Sequence, residues 1–210
     1  MKVISTNLGK PTKIVWKGKE TMTGIYKHPV DEPLFLDVED VKNDTVVDRK
    51  RHGGIYKACY LFSAENYGYW KEKYPLLDWD WGMFGENLTL DKMEESKLKI
   101  GSIYKLGEAL VQITQPREPC YKLGIRFNDQ EILKQFIDHG HPGTYVRVLE
   151  PGKVAMDDSM ELVEESGNPL TVQAFYKLLF AKTKDKEVLE WAINHEALPL
   201  DKREKLKKWA

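Results

Sequence analysis

The stretch Gln115-Pro116-Arg117-Glu118-Pro119-Cys120-Tyr121-Lys122-Leu123 lies at the centre of the predicted organisation of the chain. Its two prolines fix φ near about −65° and remove two backbone donors, which predicts a stiff, non-helical connection. Cys120 follows the second proline and has the cations Arg117 and Lys122 close in sequence. Nearby cations favour the thiolate, the form that binds soft metals and attacks sulfur. The alternative interpretation is a small buried hydrophobe at a strand end.

Length and composition limit the class of protein. The chain has 210 residues, of which 41% are hydrophobic and 31% charged, as is typical of one globular domain with or without a small appendage. Lys and Arg total 32 against 33 Asp and Glu, and this balance gives no overall attraction for nucleic acid or an anionic membrane. No secretory leader, membrane-spanning run or disulfide framework is predicted, so we expect a cytoplasmic protein.

Short β-branched segments separated by turn residues dominate the first half of the chain. They predict a closed or sandwiched β architecture, and so a fold class that is mainly β with added helices. Ser63 is a candidate cap for a helix that runs to about Lys73. The aromatic loop at residues 77–84 is expected to pack under the barrel or to form one wall of a pocket. The strand segments are residues 2–8, 12–16, 24–27, 34–38 and 57–62.

The middle of the chain predicts a hairpin, a helix and two further strands. The hairpin turns around Gly107, and its second strand leads into the proline-containing stretch. Asn128 and Glu131 form a capping-box pattern ahead of an apolar helical face that ends at Gly140. The strand segments in this part are residues 99–106, 109–114, 145–149 and 159–163.

Strand signals end after residue 166. Residues 171–210 predict three short helices, with Thr171 and Asp185 as caps and Asp201 with Glu204 as a second capping box. We therefore expect a β-barrel domain at residues 1–166 and a C-terminal three-helix extension at residues 167–210. About 40 residues are few for independent stability, so the extension should lean on the barrel or on another chain. The basic tail is interpreted as a solvated helix end and comprises Lys202, Arg203, Lys205, Lys207 and Lys208.

Two further stretches could carry chemistry. In Arg51-His52-Gly53-Gly54-Ile55-Tyr56-Lys57, adjacent glycines let backbone amides approach a ligand, and the cations suit a phosphate-sized anion. In Gly82-Met83-Phe84-Gly85-Glu86-Asn87-Leu88-Thr89, Glu86 and Asn87 offer acceptors and donors for the edge of a heterocycle. Each stretch can also be an ordinary turn with solvated charges.

Other site types fit the sequence less well. His139 and His141 with Cys120 match no compact zinc spacing, and Gly140 and Pro142 indicate a simple helix exit. A Cys–His thiol hydrolase using Cys120 is an alternative, although nothing positions the histidine. Cys59 lies in an apolar strand and is expected to be inert core.

Three motifs together resemble the MOSC domain, the family named for the C-terminal domain of molybdenum cofactor sulfurase. They are HGGIYKACY at residues 52–60, FGENLT at 84–89 and QPREPCYKL at 115–123, in that order. The resemblance spans about residues 20 to 165, and the last helices resemble the three-helix extension of stand-alone bacterial members. It implies a mostly β barrel that binds the molybdenum cofactor, a pyranopterin dithiolene with a phosphate. Pyridoxal phosphate binding is not expected.

The resemblance assigns roles by position. Cys120 is the molybdenum ligand or, alternatively, the carrier of a persulfide, and it is the catalytic candidate. The residues expected around the cofactor are His52, Gly53, Gly54, Lys57, Gly85, Glu86, Asn87 and Arg117. Many relatives have an acidic residue before the lysine, whereas Tyr56 precedes Lys57 here, which leaves the role of that position open.

The function expected from the resemblance is reduction of N-hydroxylated compounds by a molybdenum-dependent oxidoreductase. No flavin, nicotinamide or iron–sulfur motif is visible, so a separate electron-donor protein is expected as a partner beside the small-molecule substrate. A homodimer is one possible assembly. The alternatives are a sulfur carrier that uses a Cys120 persulfide and a non-catalytic carrier of the cofactor.

Overall fold

The computed structural model describes residues 1–210 as twelve strands and seven helices. The strands are β1 Val3–Gly9, β2 Thr12–Trp16, β3 Lys19–Thr23, β4 Lys27–Val30, β5 Leu34–Leu36, β6 Cys59–Ser63, β7 Leu88–Leu90, β8 Ile103–Leu106, β9 Ala109–Pro116, β10 Thr144–Glu150, β11 Gly152–Val154 and β12 Met160–Glu164. The helices are α1 Arg49–His52, α2 Tyr67–Lys73, α3 Tyr121–Arg126, α4 Ile132–His139, α5 Val172–Phe180, α6 Lys186–Ile193 and α7 Leu200–Leu206.

Eight strands form one sheet in the order β12-β8-β9-β10-β6-β7-β1-β4. Neighbours pair antiparallel except β6 and β7, which are parallel. A bridge between Lys2 and Ser159 brings the beginnings of β1 and β12 together, so the sheet curls strongly. Its strand order still has two separate ends, and the closed barrel that we expected is not confirmed. The fold is mixed α/β, with a large, mostly sheet core and several helices.

A two-stranded hairpin replaces part of the predicted strand pattern near the amino end. β2 and β3 pair along their whole length around Lys17 and Gly18, whose φ values of 50° and 75° suit a tight hairpin turn. The strand predicted at residues 24–27 is therefore wrong, because β3 ends at Thr23 and β4 begins at Lys27. The chain passes tightly here, since a Cβ on Gly24 would lie 1.9 Å from the Thr45 carbonyl oxygen.

The helix caps test the local sequence patterns directly. Thr171 accepts a hydrogen bond from the Ala174 amide at 3.1 Å, and Asp185 accepts from the amides of Glu187 and Val188, so both predicted caps are confirmed. The other predicted caps are wrong because their side chains cap nothing. Ser63 precedes a 3₁₀ turn, Asn128 has a φ of 52°, and Asp201 lies inside α7, which begins after Pro199.

The C-terminal helices share the main hydrophobic core with the sheet. Val172, Phe175 and Leu206 are almost completely buried in the same cluster as Leu61 and Val146 of the sheet. This packing explains how so short a segment is stabilised, since its apolar faces lie against the larger body. The division at residue 166 remains a prediction.

A second, aromatic cluster lies beside α2 and α4. Phe62, Trp70, Phe84 and Phe136 are fully buried there, and Trp79 packs against Phe84 with ring centroids 6.2 Å apart. The expectation that the aromatic loop packs inward is thereby confirmed.

None of the helices combines the length and the hydropathy that crossing a bilayer requires.

Candidate functional site

Cys120 lies at the junction between β9 and α3. β9 ends at Pro116, the chain crosses to Cys120 in an extended conformation, and α3 begins at the next residue, Tyr121. The predicted connection is non-helical only as far as Cys120, because nothing after Pro119 prevents a helix from forming. Cys120 is partly exposed, whereas Cys59 on β6 is 1% exposed. Burial raises the pKa of the Cys59 thiol, which confirms Cys59 as inert core.

Two adjoining cavities meet at Cys120. The inner cavity has a volume of about 80 Å³ and is walled by the loop before β4, the segment before α1 and the beginning of α3. The outer cavity has about 230 Å³ and shares His52, Lys57, Cys120 and Tyr145 with the inner one. Six of the nine residues predicted from the sequence line the inner cavity: His52, Lys57, Gly85, Asn87, Arg117 and Cys120.

Arg117 is the deepest cation of this site. Its side chain is 5% exposed, its guanidinium donates a hydrogen bond to the Phe84 carbonyl oxygen, and its central carbon lies 5.1 Å from the Tyr60 ring centroid. Burial alone would lower the pKa of Arg117, yet the nearby Tyr60, Tyr145 and Cys120 raise it overall. Arg117 is therefore a permanent positive charge fixed against the loop that carries Gly85.

His52 is held in the neutral form by its surroundings. Burial, followed by the charges of Arg117, Lys57 and Lys122, lowers the pKa of His52 to about 4. Lys57 lies at the end of a 3₁₀ turn, donates to the Arg51 carbonyl oxygen and sits 5.7 Å from the Tyr145 ring centroid. Burial also lowers the pKa of Lys57. The site thus concentrates positive charge around a neutral imidazole.

Asn87 lies in the wall of the inner cavity, and its side-chain amide already forms hydrogen bonds within the protein. Its side-chain oxygen accepts from the Tyr60 amide at 3.2 Å, and its nitrogen donates to Asp44 at 3.0 Å. Asp44 also pairs with Lys27, and both side chains are almost completely buried. Gly85, with φ of 79°, supplies a backbone wall without a side chain.

Glu86 does not face the cavity. Its fully buried carboxylate accepts hydrogen bonds from the Tyr67 hydroxyl, the Gly82 amide at 3.0 Å, the Phe84 amide at 3.1 Å and the Thr89 hydroxyl at 3.0 Å. Three of these donors reach Oε1, and the Phe84 amide reaches Oε2. Glu86 thus braces the loop that holds Gly85, and its contact with a cofactor stays a prediction.

Gly53 and Gly54 line a third cleft rather than the Cys120 cavity. This cleft of about 590 Å³ lies between the α1 region and the C-terminal helices. Of the predicted site residues, Lys57 lines both this cleft and the two cavities at Cys120. Lys202 of α7 closes one side of it by donating to Gln115 at 2.9 Å and Glu118 at 2.6 Å. Lys202 was expected to be a solvated tail residue, but it ties α7 to the proline-containing stretch.

The two histidines considered for zinc lie elsewhere. His139 stacks on Tyr69 with ring centroids 4.0 Å apart, and His141 bonds to the buried Glu95 at 3.0 Å. No group of three or more His, Cys, Asp or Glu side chains is arranged as a metal site anywhere in residues 1–210.

Sequence reasoning missed three parts of the cavity. Lys27 and Asp44 form a buried pair in its wall, although they are distant in sequence and neither belongs to a motif. Tyr145 of β10 lies between the inner and outer cavities. No local signal identifies Tyr145, because Thr144, Tyr145 and Val146 are all buried and burial does not alternate along this part of β10, and none pairs Lys27 with Asp44.

Comparison with known proteins fixes the family. The sequence profile of the MOSC domain matches residues 48–161, which contain His52, Asn87 and Cys120. The chain is also 35% identical over 198 residues to YflK of Bacillus subtilis (strain 168), covering 93% of this chain and 88% of YflK. The chain belongs to the MOSC domain family.

Two further relatives place the match in context. The crystal structure of YiiM from Geobacillus stearothermophilus superposes with a TM-score of 0.83 at 29% identity and covers 100% of this chain and 99% of that one. A protein of Gibberella moniliformis (strain M3125 / FGSC 7600) named "Reductase" is 36% identical over 150 residues. That match covers 70% of this chain but 27% of the fungal protein, so it concerns one part of a much longer chain.

Proposed function

We propose that this MOSC protein is a molybdenum cofactor-dependent oxidoreductase that reduces N-hydroxylated compounds with electrons from a separate donor protein. The observation that carries the proposal is the placement of Cys120. It is the one cysteine with an accessible thiol, and it opens into a cavity where Arg117, Lys57 and Lys122 converge. The name of the fungal relative supports the reductase class.

The donor set fits the molybdenum cofactor chemically. A thiolate is a soft ligand suited to a soft metal centre, and Cys120 would hold the metal. The dithiolene and the phosphate of the cofactor are anionic, and the cavity offers cations whose charge is not neutralised by its own carboxylates. Arg117, Lys57 and neutral His52 would bind the cofactor, while Gly85 and Asn87 would form the wall behind it.

The reaction needs two electrons and two protons to convert an N–OH group to N–H and water. The cofactor, when bound, supplies two-electron chemistry at the metal. The chain positions it through Cys120 and Arg117, both fixed by the rigid segment between Pro116 and Pro119. A neutral His52 can accept or donate a hydrogen bond to a substrate without adding charge.

A turnover assay tests the reaction. Full-length protein made in a cofactor-producing host would be given a chemical reductant and an N-hydroxylated substrate, and formation of the reduced product would be followed. Product formation is expected for wild type and for Cys59→Ala, the control at the buried cysteine, and loss of turnover is expected for Cys120→Ala. Equal turnover in Cys120→Ala and wild type would refute the assignment.

A sulfur carrier is the second candidate, favoured by the partial exposure of Cys120 at the outer cavity. In that case the thiol would hold a persulfide and pass sulfur to an acceptor. Intact-mass measurement on fresh protein distinguishes the two, because only the carrier predicts a stable additional sulfur that is absent from Cys120→Ala. A cofactor carrier without catalysis would bind molybdenum but show no turnover with any reductant.

The chain organisation is part of the same proposal. We propose that residues 1–166 form the MOSC domain and residues 167–210 an extension whose Lys202 anchors it beside Cys120 through Glu118. A homodimer remains an option for the assembly. Sedimentation analysis of the purified chain would test it, and a single monomeric species across the micromolar range would exclude it.

A further inference from the structure

The β2–β3 hairpin is attached to the rest of the protein at few points. Its two strands form a separate two-stranded sheet and pair only with each other. The ion pair of Lys13 and Glu20 at 2.7 Å also lies within the hairpin. No hydrogen bond or ion pair joins residues 13–22 to any other part of the chain. A segment with so few bonds to its surroundings can open locally at a low cost in free energy.

The base of the hairpin is fixed in the wall of the inner cavity. The Gly9 amide, just before β2, donates to the Asp44 carboxylate at 2.8 Å. A Cβ on Gly9 would lie 2.5 Å from the Gly24 carbonyl oxygen, so the two ends of the hairpin are in close contact. Thr23 at the end of β3 is fully buried, and it lines the inner cavity together with Gly24 and Asp44. Any movement of the hairpin would therefore pivot about this end.

The other end of the hairpin rests on the residue beside Cys120. Trp16 at the end of β2 stacks on Tyr121, with ring centroids 4.9 Å apart and an angle of 25° between the ring planes. Ile14 lies on the same face of β2 as Trp16 and is 7% exposed, yet it belongs to neither hydrophobic cluster. The face of the hairpin that carries Trp16 thus covers the start of α3 rather than the core.

We infer that the β2–β3 hairpin is a hinged lid beside the Cys120 site, held closed by the stack of Trp16 on Tyr121. This latch limits the size of the compound that reaches the thiol. The inference rests on the proposed function only in taking Cys120 as the working residue. With the latch closed, small compounds reach Cys120 through the outer cavity of about 230 Å³. Opening uncovers the side of Cys120 next to Tyr121 and admits larger compounds.

Two neutral maleimides of different size measure access to Cys120 without any cofactor. Full-length protein from a host that makes no molybdenum cofactor would be treated with N-ethylmaleimide and with N-cyclohexylmaleimide, whose saturated ring cannot stack on Tyr121. The ratio of the cyclohexyl rate to the ethyl rate at Cys120 reports access, because the fraction of thiolate affects both reagents equally. Buried Cys59 should remain unlabelled throughout.

Removing the latch should raise that ratio. Trp16→Ala is expected to raise it about two- to tenfold, the shift in an open–closed equilibrium that one aromatic pair supplies, and Trp16→Phe to raise it less. Val15→Ala, at a 64% exposed residue on the opposite face of β2, should leave it unchanged. Hydrogen exchange of wild type is a second measurement that needs no variant. The amides of β2 and β3 should exchange together, and before those of β1 inside the large sheet.

An unchanged ratio in folded Trp16→Ala, or hairpin amides as well protected as those of β1, would overturn the inference. Both measurements use protein without cofactor, so they are independent of the proposed reaction. Absence of molybdenum or of turnover in wild type from a cofactor-producing host would refute the proposed function and leave the lid standing. Full turnover in wild type together with an unchanged alkylation ratio in Trp16→Ala would refute the lid alone.

Discussion

Replacing Glu86 by alanine should destabilise the fold rather than remove a ligand contact. The substitution leaves the amides of Gly82 and Phe84 buried without acceptors, at about 1–3 kcal/mol each. The hydroxyls of Tyr67 and Thr89 still accept from the Met83 amide and the Asn7 side chain, although their own O–H groups lose Glu86 as acceptor. Removing a buried carboxylate recovers part of the loss. We therefore expect a net loss of about 3 kcal/mol in the free energy of unfolding, and about half of that for Glu86→Gln.

Urea unfolding followed by tryptophan fluorescence measures this loss. Glu94→Ala is the matched control, because its carboxylate is 59% exposed and pairs only with Lys97 at the surface. The control should stay within about 0.5 kcal/mol of wild type. A Glu86→Ala protein as stable as that control, but unable to retain molybdenum, would refute the bracing role and restore Glu86 to the binding site.

Three further predictions concern titration and docking. Burial and the charge of Arg117 lower the pKa of His52 to about 4. The contribution of neutral His52 to the unfolding free energy is therefore complete above pH 6.5 and lost as the pH falls through 4. An NMR titration of the His52 ring with a midpoint near pH 6.5 would contradict this. The hydrogen bond to Glu95 raises the pKa of His141, so its contribution is present below 6.5 and lost as the pH rises through the raised pKa. His141→Gln should flatten the dependence of the unfolding free energy on pH above 6.5, and an unchanged slope would count against the pairing. Lys202→Met should cost about 1 kcal/mol in urea unfolding, less than a buried charged hydrogen bond because Glu118 is half exposed. Lys207→Met, at an exposed lysine, should cost nothing measurable.

Local patterns predicted those parts of the fold that local physics controls. Thr171 and Asp185 begin helices because their side chains satisfy free amides within three residues, which a sequence displays directly. The difference between the two cysteines was also visible in their immediate sequence neighbours, because Cys59 lies in an apolar strand and Cys120 follows a proline. Cys59 has the buried environment that its neighbours predicted, and the partial exposure of Cys120 differs from the fully buried alternative.

Long-range packing decided what the sequence could not predict. The motif spacing brings Glu86 and Asn87 close together but does not say which side chain turns toward the loop interior, and Glu86 takes that position. Gly53 and Gly54 lie opposite α7 because Lys202 reaches Glu118, a contact between segments far apart in sequence. The pair of Lys27 and Asp44 likewise depends on how β4 lies against the following loop.

Molybdenum content per chain is the measurement that tests the central claim most directly. Wild type, Cys59→Ala and Cys120→Ala would be made side by side in a cofactor-producing host and analysed by elemental mass spectrometry. The account predicts near-stoichiometric molybdenum in wild type and Cys59→Ala, and its loss from Cys120→Ala with the fold intact. Molybdenum retained by folded Cys120→Ala at the wild-type level would contradict Cys120 as the ligand.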